Sequence, residues 1–302
     1  MHLAPIIVFT FNRVWHTRQT FEALLGNEGA AQSDVTVYCD GARDEKDADA
    51  VAEVRAYVKT VTGFNSISIV ERERNYGLAA SIIDGVSQTV QKHERVIVLE
   101  DDMVSSKYFL RYMNEALDKY ADEDKVACVH GYCYPVKAAL PEAFFLQGAD
   151  CWGWATWARA WDGFNPDGKA LLEALQARNL TQSFDYDGTY PYVKMLKKQI
   201  LGKNNSWAIR WHASAFLAGK LTLYPGRSLI HNIGNDDSGT HAAGTSNYDV
   251  EVSATPISLE NIEVSVSARG RDGFVTFFKA SHRSLAQRIW ARLRALLRQA
   301  RS

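Results

Sequence analysis

Arg95-Val96-Ile97-Val98-Leu99-Glu100-Asp101-Asp102-Met103 joins an apolar, β-branched run to three consecutive carboxylates. The run is too short for an ordinary helix and rich in Val and Ile, so it reads as a buried strand. Three acids at the end of a buried strand repel one another unless a cation sits among them. A hard divalent ion, Mg²⁺ or Mn²⁺, suits carboxylate oxygens. In an open α/β sheet the carboxyl ends of the strands are also where ligands bind. A solvated acidic turn is the plainer alternative, and the flanking sequence decides between the two.

Upstream, Pro5 to Phe11 reads as a first buried strand, with Thr10 near its end and Asn12-Arg13 just beyond. Thr17 is placed to cap a helix bearing Phe21, Leu24 and Leu25, stopped by Gly26-Asn27. Asp34 to Cys39 reads as a second strand, ending in Asp40-Gly41, and Val51, Val54 and Val58 follow at helical spacing. Ser66 to Val70 reads as a third strand. Leu78, Ile82, Val86 and Val90 then mark an amphipathic helix. Strand and helix thus alternate three times before the acidic strand, the pattern of a mainly parallel sheet covered on both faces. Three strand ends deliver polar groups to one edge: Asn12-Arg13, Asp40 and Glu100-Asp101-Asp102. The turn before the third helix adds Arg72, Arg74, Asn75 and Gly77. Such a rim suits a nucleotide, although Asp40 and Asn75-Tyr76-Gly77 also read as ordinary turn residues. No Gly-x-Gly-x-x-Gly follows the first strand and no Gly-x-x-x-x-Gly-Lys-Ser/Thr occurs, which argues against a dinucleotide enzyme or a P-loop NTPase.

Downstream, Ser106 is placed to cap a helix with Phe109, Met113 and Leu117 on one face, and Lys125 to Val129 reads as a strand. Cys151-Trp152-Gly153-Trp154-Ala155-Thr156-Trp157, with Trp161 close behind, sets four tryptophans within ten positions. Indole rings suit the apolar C–H faces of sugars, and Trp152 or Trp154 is expected to face one. Pro191 to Gln199 and Trp207 to Trp211 read as helices, and Leu221 to Pro225 as a strand. Asn235 to His241 is a polar loop with a glycine on either side of its acids, the character of a lid. From Thr245 to Phe278 the sequence is polar with short β-like pieces. Leu285, Ile289, Leu293 and Leu296-Leu297, interleaved with six arginines from Arg283 to Arg301, then form a basic amphipathic stripe. It fits an anionic membrane surface or a docking helix.

The chain has 302 residues and a net charge of −1, so no bulk field calls for nucleic acid. The N-terminal residues show no basic n-region, apolar core and cleavage site, so a cytoplasmic location is expected. The four cysteines, Cys39, Cys128, Cys133 and Cys151, lack paired-ligand spacing and are expected to be free thiols.

Taken in order, Pro5 to Arg13, Cys39-Asp40-Gly41, Asn75 to Ala79, Val98 to Asp102, Cys151 to Trp157, Ser206 to Trp211 and Asn232 to His241 resemble the GT-A nucleotide-diphospho-sugar transferases. More closely, the chain resembles bacterial surface-polysaccharide sugar transferases related to the N-acetylglucosaminyltransferase I family. The resemblance spans roughly residues 4 to 242. It implies a mainly parallel α/β GT-A sheet, a nucleotide-diphospho-sugar donor (a UDP-sugar by default), Mn²⁺ or Mg²⁺, and inversion at the anomeric carbon. It divides the chain into a transferase domain over 1–245, with halves 1–103 and 104–245, an extension over 246–280 and a basic amphipathic helix over 281–302. Asp102 would bind the metal, with His241 as a second contact. Glu100 and Asp101 would meet the sugar, ribose or ion-bound water, and Asp40 the nucleoside. Thr10, Asn12, Arg13, Asn75 and Gly77 complete the donor side on the first half. Trp152, Gly153, Trp154, Asn205, Trp207 and Arg210 complete it on the second.

One departure matters. The family has Asp-Asp-Trp where this chain has Asn205-Ser206-Trp207, and neither Asn nor Ser is a general base at neutral pH. Asp150, Asp185, Asp187, Asp236 and Asp237 are the candidates to replace it, with Asp150 and Asp237 carried forward as catalytic. The expected function is transfer of a sugar to a glycan or lipid-linked acceptor in capsule or lipopolysaccharide synthesis, with peripheral contact at the inner membrane. The alternative is a non-catalytic nucleotide- or sugar-binding protein on the same scaffold.

Overall fold

The computed structural model describes residues 3–236 and 246–281. Its first half follows the strand-helix alternation: β1 (Ile6–Thr10), α1 (Val14–Leu25), β2 (Asp34–Cys39), α2 (Glu45–Val58), β3 (Ser66–Glu71), α3 (Leu78–His93) and β4 (Arg95–Glu100). The helix after β1 starts earlier than the Thr17 cap predicts. Thr17 lies in the first turn of α1, and its hydroxyl donates to the Arg13 carbonyl at 2.9 Å. Next come β5 (Met103–Ser105), α4 (Phe109–Lys119), β6 (Val126–His130), β7 (Ala143–Gln147), β8 (Trp154–Trp157) and α5 (Ala158–Trp161). A helical lobe follows, with α6 (Gly168–Ala177), α7 (Thr181–Phe184), α8 (Tyr192–Ile200) and α9 (Trp207–Leu217). The chain then adds β9 (Leu221–Pro225), β10 (Ile230–Asn232) and α10 (Ala268–Ser281).

Eight strands form one mixed sheet in the order β3-β2-β1-β4-β8-β6-β9-β7. Neighbours among β3, β2, β1 and β4 run parallel, as do β6 and β9, while β8 and β7 run against their neighbours. This is the mainly parallel, helix-flanked α/β architecture expected. β8 is the element that the aromatic stretch concealed. It lies between β4 and β6, with Trp154 opposite Val98 on one side and His130 on the other. One continuous sheet therefore crosses from the first half of the chain to the second. β10 and β5 form a separate antiparallel pair at the end of β4.

Alternation along the strands assigns the two faces. Ile6, Val8, Ile97 and Leu99 point into a core shared with α1, α2, α4 and α10. Ile7, Phe9, Val96 and Val98 point to the other side, against α3, α5 and α9. The lobe has its own apolar centre of Leu171, Leu175, Phe184, Leu196, Ile209 and Phe216.

The stretch read as polar with β-like pieces ends in a docked helix. α10 buries Phe274 and Phe278 to 1% exposure, and the Phe278 ring lies 4.5 Å from Tyr190 and 5.0 Å from Tyr134. Val266 forms a bridge to Phe145 at the β7 edge. The basic stripe beyond Ser281 lies outside the described residues. No helix among the described residues is long and apolar enough to cross a membrane. All four cysteines are free, and three are buried.

Because its side chain is fully buried among Tyr134, Tyr186 and Tyr190, Phe278→Ala should lower the free energy of unfolding by about 3–5 kcal/mol in urea melts. A loss below about 1 kcal/mol would be that of an ordinary surface position and would make α10 a loose appendage.

Candidate active site

Glu100 closes β4 beside Phe9 of β1, and Asp101 and Asp102 form the turn into β5. Arg13, one position before α1, reaches across to them. Its Nη2 donates to Asp101 Oδ1 and, at 2.7 Å, to Asp102 Oδ2, while Nε lies 3.4 Å from Asp101 Oδ2. Thr20 fixes the turn by donating to the Asp101 carbonyl at 2.8 Å. Asp101 and Asp102 are buried, at 5% and 8% exposure. Burial raises the Glu100 carboxyl to about 8, helped by the charges of Asp102 and Asp101. Burial also raises Asp101, to about 6, against the pull of Arg13. Burial works against the Arg13 charge, but Asp101 and Asp102 more than offset it and hold the guanidinium above its ordinary range.

Three carboxylates facing one guanidinium leave two negative charges unmatched when all are ionised. Asp102 Oδ1 is buried and has no hydrogen-bond partner among the described residues. A divalent cation fits that balance and that orphaned oxygen. Among the described residues, no group of three or more His, Cys, Asp or Glu is arranged to hold a metal alone. Ligand oxygens would have to complete the coordination, which is how Mg²⁺ is commonly held beside phosphates.

The chain leaving β10 covers this corner. Ile233 N–H donates to the Asp102 carbonyl at 2.9 Å. A Cβ on Gly234 would stand 2.1 Å from Asp102 Oδ2 and 3.1 Å from Arg13 Nη1, so only glycine passes here undisturbed. His16 Nε2 lies 3.0 Å from Asp236 Oδ2. Asp237 and His241 lie outside the described residues.

The other strand ends form a rim bonded largely to itself. The Asp40 carboxylate accepts from the N–H groups of Gly41, Tyr76 and Gly77 at 2.8–2.9 Å, tying the turn before α3 to the end of β2. Asn75 donates to the Gly41 carbonyl at 2.8 Å, and Asn12 to Asp47 at 2.8 Å. Thr10 lies 3.5 Å from the Tyr38 carbonyl. Of Arg13, Arg72, Arg74 and Arg210, Arg13 is the one bonded to the acids. Arg72 pairs with Asp84, and its guanidinium stacks over Tyr76 at 4.5 Å, with Arg74 5.6 Å from the same ring. Arg210 bonds the carbonyls of Ser206 and Pro166.

The tryptophans divide. Trp154 is 1% exposed and Trp207 is 3% exposed. Their rings stack at 5.2 Å, and Trp161 and Trp211 pack around Trp154. These indoles fill the core under α9 and have no face to offer a sugar. Trp152 remains half-exposed, its ring 4.7 Å from Tyr132 and 5.9 Å from Tyr248. Its backbone N–H donates to His130 Nε2 at 3.0 Å. Gly153 adopts φ +60°, where a Cβ would meet Ile230 at 2.6 Å. Asn205 is exposed, and Ser206 caps α9 by accepting from Ile209 N–H at 3.3 Å.

Among the candidate bases, Asp185 accepts from Val193 N–H at the start of α8, and Asp187 pairs with Arg271 at 2.8 Å. Asp150 has different company. Its oxygens accept from Cys151 N–H at 2.9 Å and from the Tyr224 hydroxyl at 3.1 Å. His130 Nε2 stands 3.7 Å away, and no Lys or Arg pairs with Asp150 among the described residues. The side chain is 15% exposed. Tyr224 touches it, and Tyr134, Tyr186 and Tyr192 are near enough to feel its charge. Their hydroxyls are pushed up first by burial and next by the Asp150 charge. The Cys151 thiol is raised by burial, then by the charges of Asp150 and Glu100. No local pattern announces this group of tyrosines, because its four members lie at positions 134, 186, 192 and 224.

No family model matches the chain. No curated protein matches it by sequence. Solved structures do resemble it. A mannosyltransferase from Pyrobaculum calidifontis, in complex with GDP-Man and Mn²⁺, is 16% identical with a TM-score of 0.33, covering 43% of this chain and 35% of that one. S. aureus TarS is 17% identical with a TM-score of 0.32, covering 48% of this chain and 24% of TarS. TarS 1–349 is 11% identical with a TM-score of 0.44, covering 78% of this chain and 61% of that fragment. The chain spans less than two thirds of each of these structures.

The carboxylate balance sets a pH dependence. In EDTA, folding holds Glu100 protonated up to about 8, far above an unfolded glutamate near about 4.3. Stability should therefore fall as the pH rises between those values. Arg13→Met should steepen that fall, with a much larger loss in urea midpoint at about pH 8 than at about pH 5, where the acids take up protons instead. An equal loss at both would mean that Arg13 acts by packing alone.

Proposed function

We propose that this chain is a metal-dependent sugar transferase of the GT-A type, with the donor's pyrophosphate at Asp102 and Asp150 as the general base. The observation carrying this reading is the Glu100-Asp101-Asp102 turn, which among the described residues has one paired cation, Arg13, and leaves Asp102 Oδ1 without a hydrogen-bond partner. Asp102 would hold Mn²⁺ or Mg²⁺ directly. A bound ion of that kind offsets the charge that builds on a departing nucleoside diphosphate.

The chain's own groups supply the rest. Arg13 keeps Asp101 and Asp102 oriented. Asp40 fixes the Tyr76-Gly77 turn at the rim where the nucleoside would lie. Trp152 is the partly exposed indole just before β8, suited to a sugar's apolar face. Asp150 takes the proton from the acceptor hydroxyl as its oxygen bonds to the anomeric carbon and the carbon–phosphate-oxygen bond breaks. Attack from the face opposite the leaving group inverts the anomeric centre. The Tyr224 hydroxyl and the Cys151 N–H hold the carboxylate in place for that transfer. The sequence resemblance extends this to surface-polysaccharide assembly, with a glycan or lipid-linked acceptor and a UDP-sugar as default donor. The non-catalytic alternative draws on Asn205-Ser206, since Ser206 serves as a helix cap and brings no carboxylate.

Calorimetry with UDP, GDP, CMP and dTDP, each with Mn²⁺ and with EDTA, tests the donor site. One nucleotide should bind only with metal, and Asp102→Asn should abolish that binding. No binding by the folded protein would remove the transferase reading. Asp150→Asn should leave the nucleotide affinity unchanged and lower kcat by about 10²–10⁴-fold. Full turnover in that variant would exclude Asp150, and nucleotide binding without any turnover in the wild type would favour the binding protein.

A further inference from the structure

From Gly188 to Asn235 the chain contains no Asp or Glu, while Lys194, Lys197, Lys198, Lys203, Arg210, Lys220 and Arg227 fall within it. For a protein of net charge −1 this is a strong local asymmetry. The structure gathers its densest part on one surface. Lys194, Lys197 and Lys198 are exposed on α8, and Lys203 is exposed in the turn that follows. Between them stand two apolar side chains in water, Ile200 at 36% exposure and Leu201 at 67%. Gly202, at φ +65°, ends the helix so that Leu201 lies at its tip. The opposite side of α8 is anchored by Leu196, which is fully buried in the helical lobe, and by Asp185 at its first turn. Glu173 on the neighbouring α6 lies 3.9 Å from Lys169.

Cations alone would suit any polyanion. Two large apolar side chains held out among four lysines suit something with an apolar interior beneath a negative surface. We propose that the α8 tip is a membrane-contact surface for anionic lipid, with the lysines on the headgroups and Ile200 and Leu201 entering the interfacial layer. The same helix begins at Tyr192, in the group of tyrosines near Asp150, so its nine residues span about 13 Å from that group to the bilayer contact. The contact does not depend on the transferase reading, because lipid binding needs neither donor nor turnover.

The full chain tests it by sedimentation with phosphatidylcholine vesicles, with and without phosphatidylglycerol. Binding should require phosphatidylglycerol and weaken with salt. Replacing Lys197, Lys198 and Lys203 by Gln together should lower partitioning on the order of a hundredfold, at about fivefold per lysine. Leu201→Ser should lower it about tenfold. Leu201→Cys carrying a polarity-sensitive dye reads the tip itself, whatever other basic segments do, and its emission should shift to the blue on anionic vesicles. No vesicle binding, or binding with no dye shift, overturns the proposal. Equal binding to a soluble anionic polysaccharide, with Leu201→Ser without effect, overturns it in favour of a polyanion site.

Discussion

Burying carboxylates at a strand end is costly unless their charge is matched, and here the match comes from Arg13. This constraint organises the centre of the molecule. The end of β1 must lie beside the end of β4 for the guanidinium to reach Asp101 and Asp102, and the parallel pairing of those strands puts it there. The match is incomplete among the described residues, where one cation serves three acids. A site that is satisfied only in part holds its free energy in reserve for whatever brings the missing charge. Gly234 belongs to the same arrangement, because the chain after β10 can lie against Asp102 only where no Cβ intervenes.

The second half of the chain supplies walls rather than charge. The sheet continues through β8 into β6, β9 and β7, and aromatic side chains fill both of its faces. On one face, Trp154, Trp161, Trp207 and Trp211 form a solid block beneath α9. On the other, Phe274 and Phe278 of α10 close an aromatic assembly with Tyr134, Tyr186 and Tyr190. Asp150 lies at the edge of that assembly, held by Tyr224. The two groups of chemical interest thus have opposite surroundings: an acid triplet short of cations, and a lone carboxylate among phenols.

Much of this was legible in the sequence because it is local. β1 to β4 and their helices follow from periodicity and β-branching, and the acidic turn announces itself by three adjacent carboxylates. What escaped was set by register and by distant partners. Trp152 and Trp154 read alike as indoles near a site. The pairing of Trp154 with Val98 and His130 is what sends one into the core while the other stays half-exposed. The Asp40 carboxylate is bonded to N–H groups of residues 76 and 77, a closure that no local pattern encodes. Asp150 is named by the sequence with Asp237, but its Tyr224 partner lies more than seventy residues away and no local pattern points to it. α10 was hidden because Arg and Asp residues are interspersed with its phenylalanines.

The insertion of β8 between β4 and β6 has a consequence for how the chain is made. β4 leaves the ribosome with β1 already available on one side, but its other neighbour, Trp154–Trp157, comes more than fifty residues later. Until then Val96, Ile97, Val98 and Leu99 present an open, apolar strand edge, the kind that pairs with other chains. At about 5–20 residues per second, translation leaves that edge unpaired for several seconds. Nascent chains stopped between Glu100 and Trp154 would be the most sticky species in this protein's life, and the demand for a chaperone falls in that interval.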